Sequence, residues 1–248
     1  MEDEDGYFGE RVAATYDGTS GVFGPGTVEA TAGVLAELAR GGRALELAIG
    51  TGRIALPLAA EGIQVDGIEL SEPMAARLRE KPGGERIGVT LGDMSEVALD
   101  GHYRLIYVVF NSLYNLPDQE AQVRCFRNVA EHLTDDGVFV MEAFTPGYLH
   151  RLRDHQYVEA EEIRVDKVWL DVARHDPVGQ RLVKNHVALT TTGVQLNPVV
   201  LRYAWPSELD LMARLAGLGL QARWGGWERQ PFSADSRLHV SVWGRSSG

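Results

Sequence analysis

The chain has 248 residues, 44% hydrophobic and 24% charged, with a formal net charge of −11 and a mean hydropathy of −0.16. This composition excludes collagen-like, disordered and membrane-spanning classes, and the length is enough for a sizeable core in one α/β domain. The charge argues against binding by neutralisation of many nucleic-acid phosphates, so no nucleic-acid partner is expected. Residues 1–142 carry a net charge of −13 and residues 143–248 a net +2, which places the acidity in the first part. Met1-Glu2-Asp3-Glu4-Asp5 is acidic where a secretory segment is basic, and no apolar run is long enough for a bilayer. A cytoplasmic protein without membrane contact is expected. The single cysteine, Cys125, allows no internal disulfide and no thiolate metal site.

In chain order, an acidic leader and a connector carrying Gly18, Gly21, Gly24 and Gly26 precede a helical apolar spacing over 25–40 that stops at Gly41-Gly42. Strand and helix patterns then alternate: strand 43–49, helix 53–60, strand 63–70, helix 72–80, strands 87–91 and 105–110, helix 118–133, strand 137–144. Such alternation predicts βαβ units and a doubly wound, mostly parallel sheet covered on both faces. From residue 157 the pattern changes. Stretches 163–172 and 181–190 are rich in β-branched residues and flank the turn His175-Asp176-Pro177-Val178-Gly179, and a third strand is expected over 199–204 after Asn197-Pro198. The segment 157–204 is therefore read as an antiparallel β meander inserted into a single domain spanning 1–248. A helix over 206–217 and strands over 220–227 and 239–243 close the chain.

The most informative stretch is Ala44-Leu45-Glu46-Leu47-Ala48-Ile49-Gly50-Thr51-Gly52-Arg53, a buried strand entering a helix through a glycine-rich turn. Such a turn lets backbone approach a ligand at the carboxyl end of a sheet, but it also describes dinucleotide sites and structural turns. The acids that follow narrow the choice. Glu69 ends the second strand, where a carboxylate can accept hydrogen bonds from a ribose diol. Asp93 ends the third in Leu91-Gly92-Asp93-Met94, placed to take an adenine amine. The turn lacks the third-glycine register of a dinucleotide fingerprint.

In this ordered set, Glu46, Glu69, Ser71, Met74, Asp93 and Met94, the sequence resembles the class I S-adenosylmethionine-dependent methyltransferases, over roughly residues 40–145. The resemblance implies a Rossmann-like fold and S-adenosylmethionine as cofactor. It places Glu46 near the methionine amino group, Gly50 and Gly52 under the cofactor, Glu69 on the ribose, Met74 on adenine and Asp93 on its amine, with Tyr16, Ala48, Arg53, Leu70 and Met94 as further cofactor-binding residues. Ala48 departs from the glycine usual at the first position of the turn.

On the substrate side, Phe110 and Asn111 after the fourth strand border the methionine portion, and Tyr114 and Asn115 face the acceptor. Glu142, closing the fifth strand, is a further candidate. Segment 1–24, with Tyr7, Phe8 and Tyr16, is expected to close over the cofactor as a lid. The leader, the Phe110-Asn111-Ser112 motif and the insert resemble N-methyltransferases acting on nucleotide-linked amino-deoxysugars in actinobacterial antibiotic pathways. In that resemblance the meander walls the acceptor site through His186, Arg202 and Tyr203, with Arg237 as a second anion contact. An activated sulfonium needs in-line placement of a neutral amine more than a strong base. The seven scattered histidines show no metal-ligand spacing, so no metal is expected. The expected function is N-methylation of a nucleotide-activated deoxyaminosugar. O-methylation of a natural product and non-catalytic cofactor binding are the alternatives, and a homodimeric state is left open.

Overall fold

A computed structural model describes residues 8–18 and 25–246. Tyr7 and most of the connector lie outside the described residues. The elements are α1 (Glu10–Thr15), α2 (Pro25–Ala39), β1 (Ala44–Leu47), α3 (Ala55–Ala60), β2 (Val65–Glu69), α4 (Glu72–Glu80), β3 (Gly88–Leu91), β4 (Tyr103–Val108), α5 (Gln119–His132) and β5 (Leu133–Phe144). They continue with β6 (Gln156–Ile163), β7 (Lys167–Asp176), β8 (Arg181–Thr190), β9 (Gly193–Arg202), α6 (Pro206–Leu215), β10 (Leu218–Trp224) and β11 (Leu238–Arg245). Side chains start two of the helices: Ser71 Oγ accepts from Met74 N–H (3.3 Å) at α4, and Asp118 Oδ1 from Ala121 N–H (2.8 Å) at α5.

The larger sheet runs β10-β11-β5-β4-β1-β2-β3. The pairs from β3 to β5 are parallel, and only β11 runs against its neighbours. The chain leaves β1 for β2 on one side and reaches β4 on the other, so a crevice opens at the carboxyl ends of β1 and β4. One face packs on α5 and α6 around Phe126, Phe139 and Trp243, whose ring centroids lie 5.2–5.7 Å apart. The other packs on α2 and α3 through Leu35, Ile54, Leu58, Tyr107 and Val140. Burying each such side chain contributes about 1.5–3 kcal/mol, so both faces hold the strand ends that form the crevice.

The insert is a separate antiparallel sheet of four strands in the order β6-β7-β8-β9, where the sequence pattern predicts three. The additional strand, β6, carries Glu159, Glu161 and Glu162, an edge composition that conceals a strand from a hydrophobicity pattern. The stretch expected as one strand over 163–172 contains the turn between β6 and β7, closed by Arg164 N–H to Lys167 O (2.8 Å). Strand β9 begins at Gly193 and continues through Asn197-Pro198, because it is an edge strand and proline need not donate there.

Three contacts fasten the meander to the core. Tyr114 Oη donates to Ala204 O (2.9 Å), Gln122 Nε2 donates to Arg202 O (2.7 Å), and the Arg202 guanidinium bonds both Glu208 (2.6 Å) and Gln122 Oε1 (2.7 Å). Burial of Glu208 works against its charge, but hydrogen bonds from Gln180 and Arg202 outweigh it and hold the carboxyl below its ordinary value of 4.5. The stability it supplies is thus present above that value and lost as pH falls through the lower folded one. Arg202→Ala should cost about 3 kcal/mol, read as a shifted urea midpoint at pH 7, because it takes the cation from a buried pair and leaves Glu208 with only the neutral donors Gln119 and Gln180. The difference from the native chain should shrink below pH 4.5.

Candidate active site

The turn after β1 is built from backbone that few residues tolerate. Ala48, Gly50 and Gly52 have φ of +53°, +57° and +76°. At Gly52 an added Cβ would lie 2.2 Å from Leu78 Cδ1, whereas at Gly50 it would meet only Met74 Cε at 3.4 Å and Ala48 O. Ala48 adopts the left-handed conformation with its methyl group, at a cost of about 1–2 kcal/mol. The turn is held by Glu69, which accepts from Gly50 N–H at Oε2 (2.7 Å) and from Ser71 N–H at Oε1 (2.8 Å). Met74 is buried beneath it and Leu70 is 75% exposed beside it. Asp93, at the end of β3, accepts from Ser95 N–H (2.7 Å) and leaves its second oxygen without a hydrogen bond among the described residues.

A second turn of the same kind follows β4, where Phe110 and Asn111 have φ of +54° and +65°. Glu142 Oε2 accepts from Phe110 N–H (3.1 Å), and Asn111 Oδ1 accepts from Phe144 N–H (2.6 Å), so the two strand ends lock each other. Glu142 thus holds the turn in place instead of ending in solvent. Beneath the crevice, Glu46 is buried in β1 and accepts from Tyr107 Oη (3.0 Å), a partner with no signal in the sequence pattern.

These three acids share one electrostatic property. Burial raises the Glu46 carboxyl to about 8 against the hydrogen bond from Tyr107. Burial likewise raises Glu69, opposed by the Ser71 and Gly50 amides, and Glu142, opposed by the Phe110 amide and more loosely by the Trp227 indole. Desolvated carboxylates at the mouth of an α/β crevice favour a cationic ligand, whose charge offsets what burial costs.

The described part of the leader lies on this turn. Ser71 Oγ donates to Phe8 O (2.7 Å), Thr51 Oγ1 donates to Asp17 Oδ1 (2.7 Å), and Lys81 Nζ pairs with Asp17 Oδ2 (2.7 Å). Arg53 donates to Tyr16 O (3.2 Å), with its guanidinium 4.9 Å from the Tyr16 ring centroid and 6.0 Å from that of Phe110. Burial raises the Tyr16 hydroxyl, and Arg53 partly offsets it. Thr51, Lys81 and Asp17 stand out only in three dimensions, because the partners are 30 and more residues apart.

The structure corrects several expectations on the acceptor side. Tyr114 is fully buried, edge-on to Phe144 at 5.1 Å, with its hydroxyl spent on Ala204 O, so it supports the wall and does not face an acceptor. Tyr203 is fully buried and bridges His175 Nε2 (2.8 Å) and His150 Nε2 (3.3 Å). Arg202 is buried and its guanidinium is turned to Glu208 and Gln122, away from the role of an anion contact. His186 sits on β8 with Nδ1 3.5 Å from Glu161 Oε2. Asn115 ends the short helix Ser112–Asn115, half-buried. Arg237 is exposed beside Thr145 at the carboxyl end of β5, with no carboxylate within ion-pair distance among the described residues. Among those residues, no group of three His, Cys, Asp or Glu is placed to hold a metal.

Comparison with known proteins finds methyltransferases. A methyltransferase-domain family matches residues 44–137. The structure of the CcbJ methyltransferase from Streptomyces caelestis is 37% identical, with a TM-score of 0.92 over 98% of this chain and 100% of that one. The cypemycin N-terminal methyltransferase of Streptomyces sp. is 23% identical over 95% of this chain and 96% of its own length. A dTDP-3-amino-3,6-dideoxy-α-D-glucopyranose N,N-dimethyltransferase of Streptomyces fradiae is 32% identical over 42% of this chain and 43% of its own.

The raised Glu46 carboxyl gives a pH test. Held near 8, it favours folding below its unfolded value of 4.5 and loses that contribution as pH rises through 8. A ligand ammonium selects the ionised form, so binding of S-adenosylhomocysteine should strengthen up to about tenfold per pH unit from 6.5 to 8 and level off above. Calorimetry in buffers of different ionisation enthalpy should record one proton released per molecule bound near pH 7. In Glu46→Gln both the pH dependence and the proton release should vanish.

Proposed function

Because the chain belongs to the S-adenosylmethionine-dependent methyltransferases, we propose that it transfers the cofactor's methyl group to the amino nitrogen of a small deoxyaminosugar. The observation that carries this reading is the crevice itself, walled by buried carboxylates and rings, together with the likeness of 42% of the chain to an aminosugar N,N-dimethyltransferase. A second relative over nearly the whole chain also acts at nitrogen, by its name at a peptide N-terminus. The bound cofactor supplies an electrophilic methyl on a sulfonium. The chain supplies position: Glu69 and Asp93 recognise the nucleoside, Glu46 meets the amino-acid end, and Glu142 with Asn111 holds the rim of the crevice rigid. Bringing nitrogen, carbon and sulfur into line can supply several kcal/mol without a strong base.

A nucleotide-linked acceptor requires donors for its diphosphate. With Arg202 occupied, that part of the reading rests on Arg237. Turnover of a nucleotide-linked aminosugar should exceed that of the free aminosugar, and Arg237→Ala should shrink the preference at unchanged cofactor affinity. Equal turnover of both removes the linkage and leaves N-methylation standing; methylation of hydroxyl acceptors alone removes both.

The outer face of the meander supports a homodimer. Val158, Val183, Leu189, Val194 and Val200 share that face and are 37–73% exposed, with Val168, Leu170 and Val172 half-buried between them. Four strands of about ten residues span roughly 600 Å² at standard spacings. That approaches the ~800 Å² per partner of a specific interface, and a flat sheet face is self-complementary about a two-fold axis. Val183→Lys with Val194→Lys should convert a dimer in sedimentation to a folded monomer; a native chain that sediments as a monomer at 50 µM, a concentration near the roughly micromolar to millimolar range of weak association, discards the dimer.

A further inference from the structure

Three imidazoles gather where the meander meets the end of β5. His150 lies on the short helix Pro146–Arg151 directly after β5, His155 ends the short helix Arg153–His155 that leads into β6, and His175 is on β7. The His175 ring centroid is 5.0 Å from that of His150 and 5.9 Å from that of His155, both edge-on. Tyr203, just after β9, closes the cluster: its hydroxyl bridges His175 Nε2 (2.8 Å) and His150 Nε2 (3.3 Å). Segments well separated along the chain thus meet at one phenol. Asp154 and His155 both hold left-handed backbone, with φ of +53° and +54°, so the link into β6 keeps its shape only while its contacts hold.

The bridge has a strict proton requirement. Tyr203 is fully buried, so its one hydrogen goes to an Nε2 that carries none, while its oxygen accepts from the other ring. A proton on the accepting ring leaves the phenol hydrogen buried without a partner and sets two cations side by side. The charged groups nearby are otherwise engaged. Asp176, next to His175, accepts from the Val178 and Gly179 amides (3.0 and 3.1 Å), Asp154 faces Arg153 (3.5 Å), and Glu208 holds Arg202 behind Tyr203. Arg151 follows His150 in its helix, and Arg174 and Arg181 lie on the outer face of the meander. Burial first, then His150 and His155, hold the His175 imidazole below its ordinary value of 6.5, with the more distant Leu149 carbonyl and Asp176 opposing in part.

We propose that this cluster is a pH-sensitive latch, fastening the meander to the end of β5 at neutral pH and releasing it in weak acid. His175 takes a proton more readily once the junction is open, so opening binds a proton and grows as pH falls through 6.5. The Tyr203 ring also lies 6.4 Å from that of Phe144, whose amide is bonded to Asn111, so release loosens the meander from the rim of the crevice. The inference holds for any acceptor.

The test is amide hydrogen exchange of the full chain, read by mass spectrometry between pH 7.0 and 5.5 and corrected for the intrinsic pH dependence of exchange. Global unfolding is the wrong readout, because Glu46 strengthens the fold as pH falls from 8 and Glu208 weakens it only below 4.5. Peptides covering 146–155, 170–178 and 198–205 should open about threefold or more over that range, while those from β1, β4 and α5 show no increase. His175→Gln keeps a hydrogen-bonding side chain beside Tyr203 but takes up no proton, and it should abolish the rise. The double variant His150→Gln with His155→Gln, at exposed positions, removes the neighbouring charges and should cut the rise by about half or more. It keeps the test valid if His175→Gln fails to fold. Corrected exchange that is flat with pH in the native chain, a rise that persists unaltered in the variants, or an equal rise throughout the core overturns the latch.

Discussion

The Glu69 carboxylate is the contact on which the crevice depends. One oxygen holds the amide of Gly50 in the turn after β1, and the other holds that of Ser71, which caps α4. A single buried acid thereby fastens two adjoining strand ends and the start of a helix, and those amides oppose the desolvation that raises its carboxyl. Ser71 also donates to Phe8, so the leader is tied to the same point. Loss of this carboxylate would release the backbone of the turn after β1 and the cap of α4 together.

The crevice repeats that device. Glu142 fixes Phe110 in a left-handed conformation as Glu69 fixes Gly50, and in both places an acid at the end of one strand holds the turn that follows another. Strained backbone of this kind costs of order 1–3 kcal/mol per residue and persists where neighbouring structure over-determines it. Here the over-determination is visible: Asn111 and Phe110 on one side, Glu142 and Phe144 on the other, exchange hydrogen bonds across a parallel ladder. The result is a rigid rim, which an in-line transfer requires more than it requires a base.

The meander divides its two faces between different tasks. Its inner face is anchored by Leu182, Leu201 and Ala173 in the core and also carries Asp171, Lys184 and Glu159. Its outer face carries a patch of valines and leucines, with Arg174, Asp176 and Arg181 toward one end. Alternation along each strand makes this division automatic, because residues of opposite parity cannot share a face.

Much of this was already legible in the residues. The alternation of apolar runs and helices determined the doubly wound sheet, since buried parallel strands are continuous hydrophobic runs bounded by glycine and helix caps. The order of Glu46, Gly50, Gly52, Glu69 and Asp93 anticipated residues gathered at the carboxyl end of one sheet, because strand ends of a parallel sheet follow in sequence order. What sequence could not decide were roles that depend on partners distant along the chain. Arg202 reads as a free cation until α6 brings Glu208 to within 2.6 Å of it. Tyr114 reads as an acceptor contact until the segment after β9 places Ala204 O on its hydroxyl. Strand β6 is hidden by its glutamates, and Asp171 finds Tyr157 and Lys184 only when the meander strands pair. Local pattern dictates which backbone forms, because it reports burial on each element's own faces; which charges are neutralised is settled by long-range packing, where a single neighbour changes what a side chain can still do.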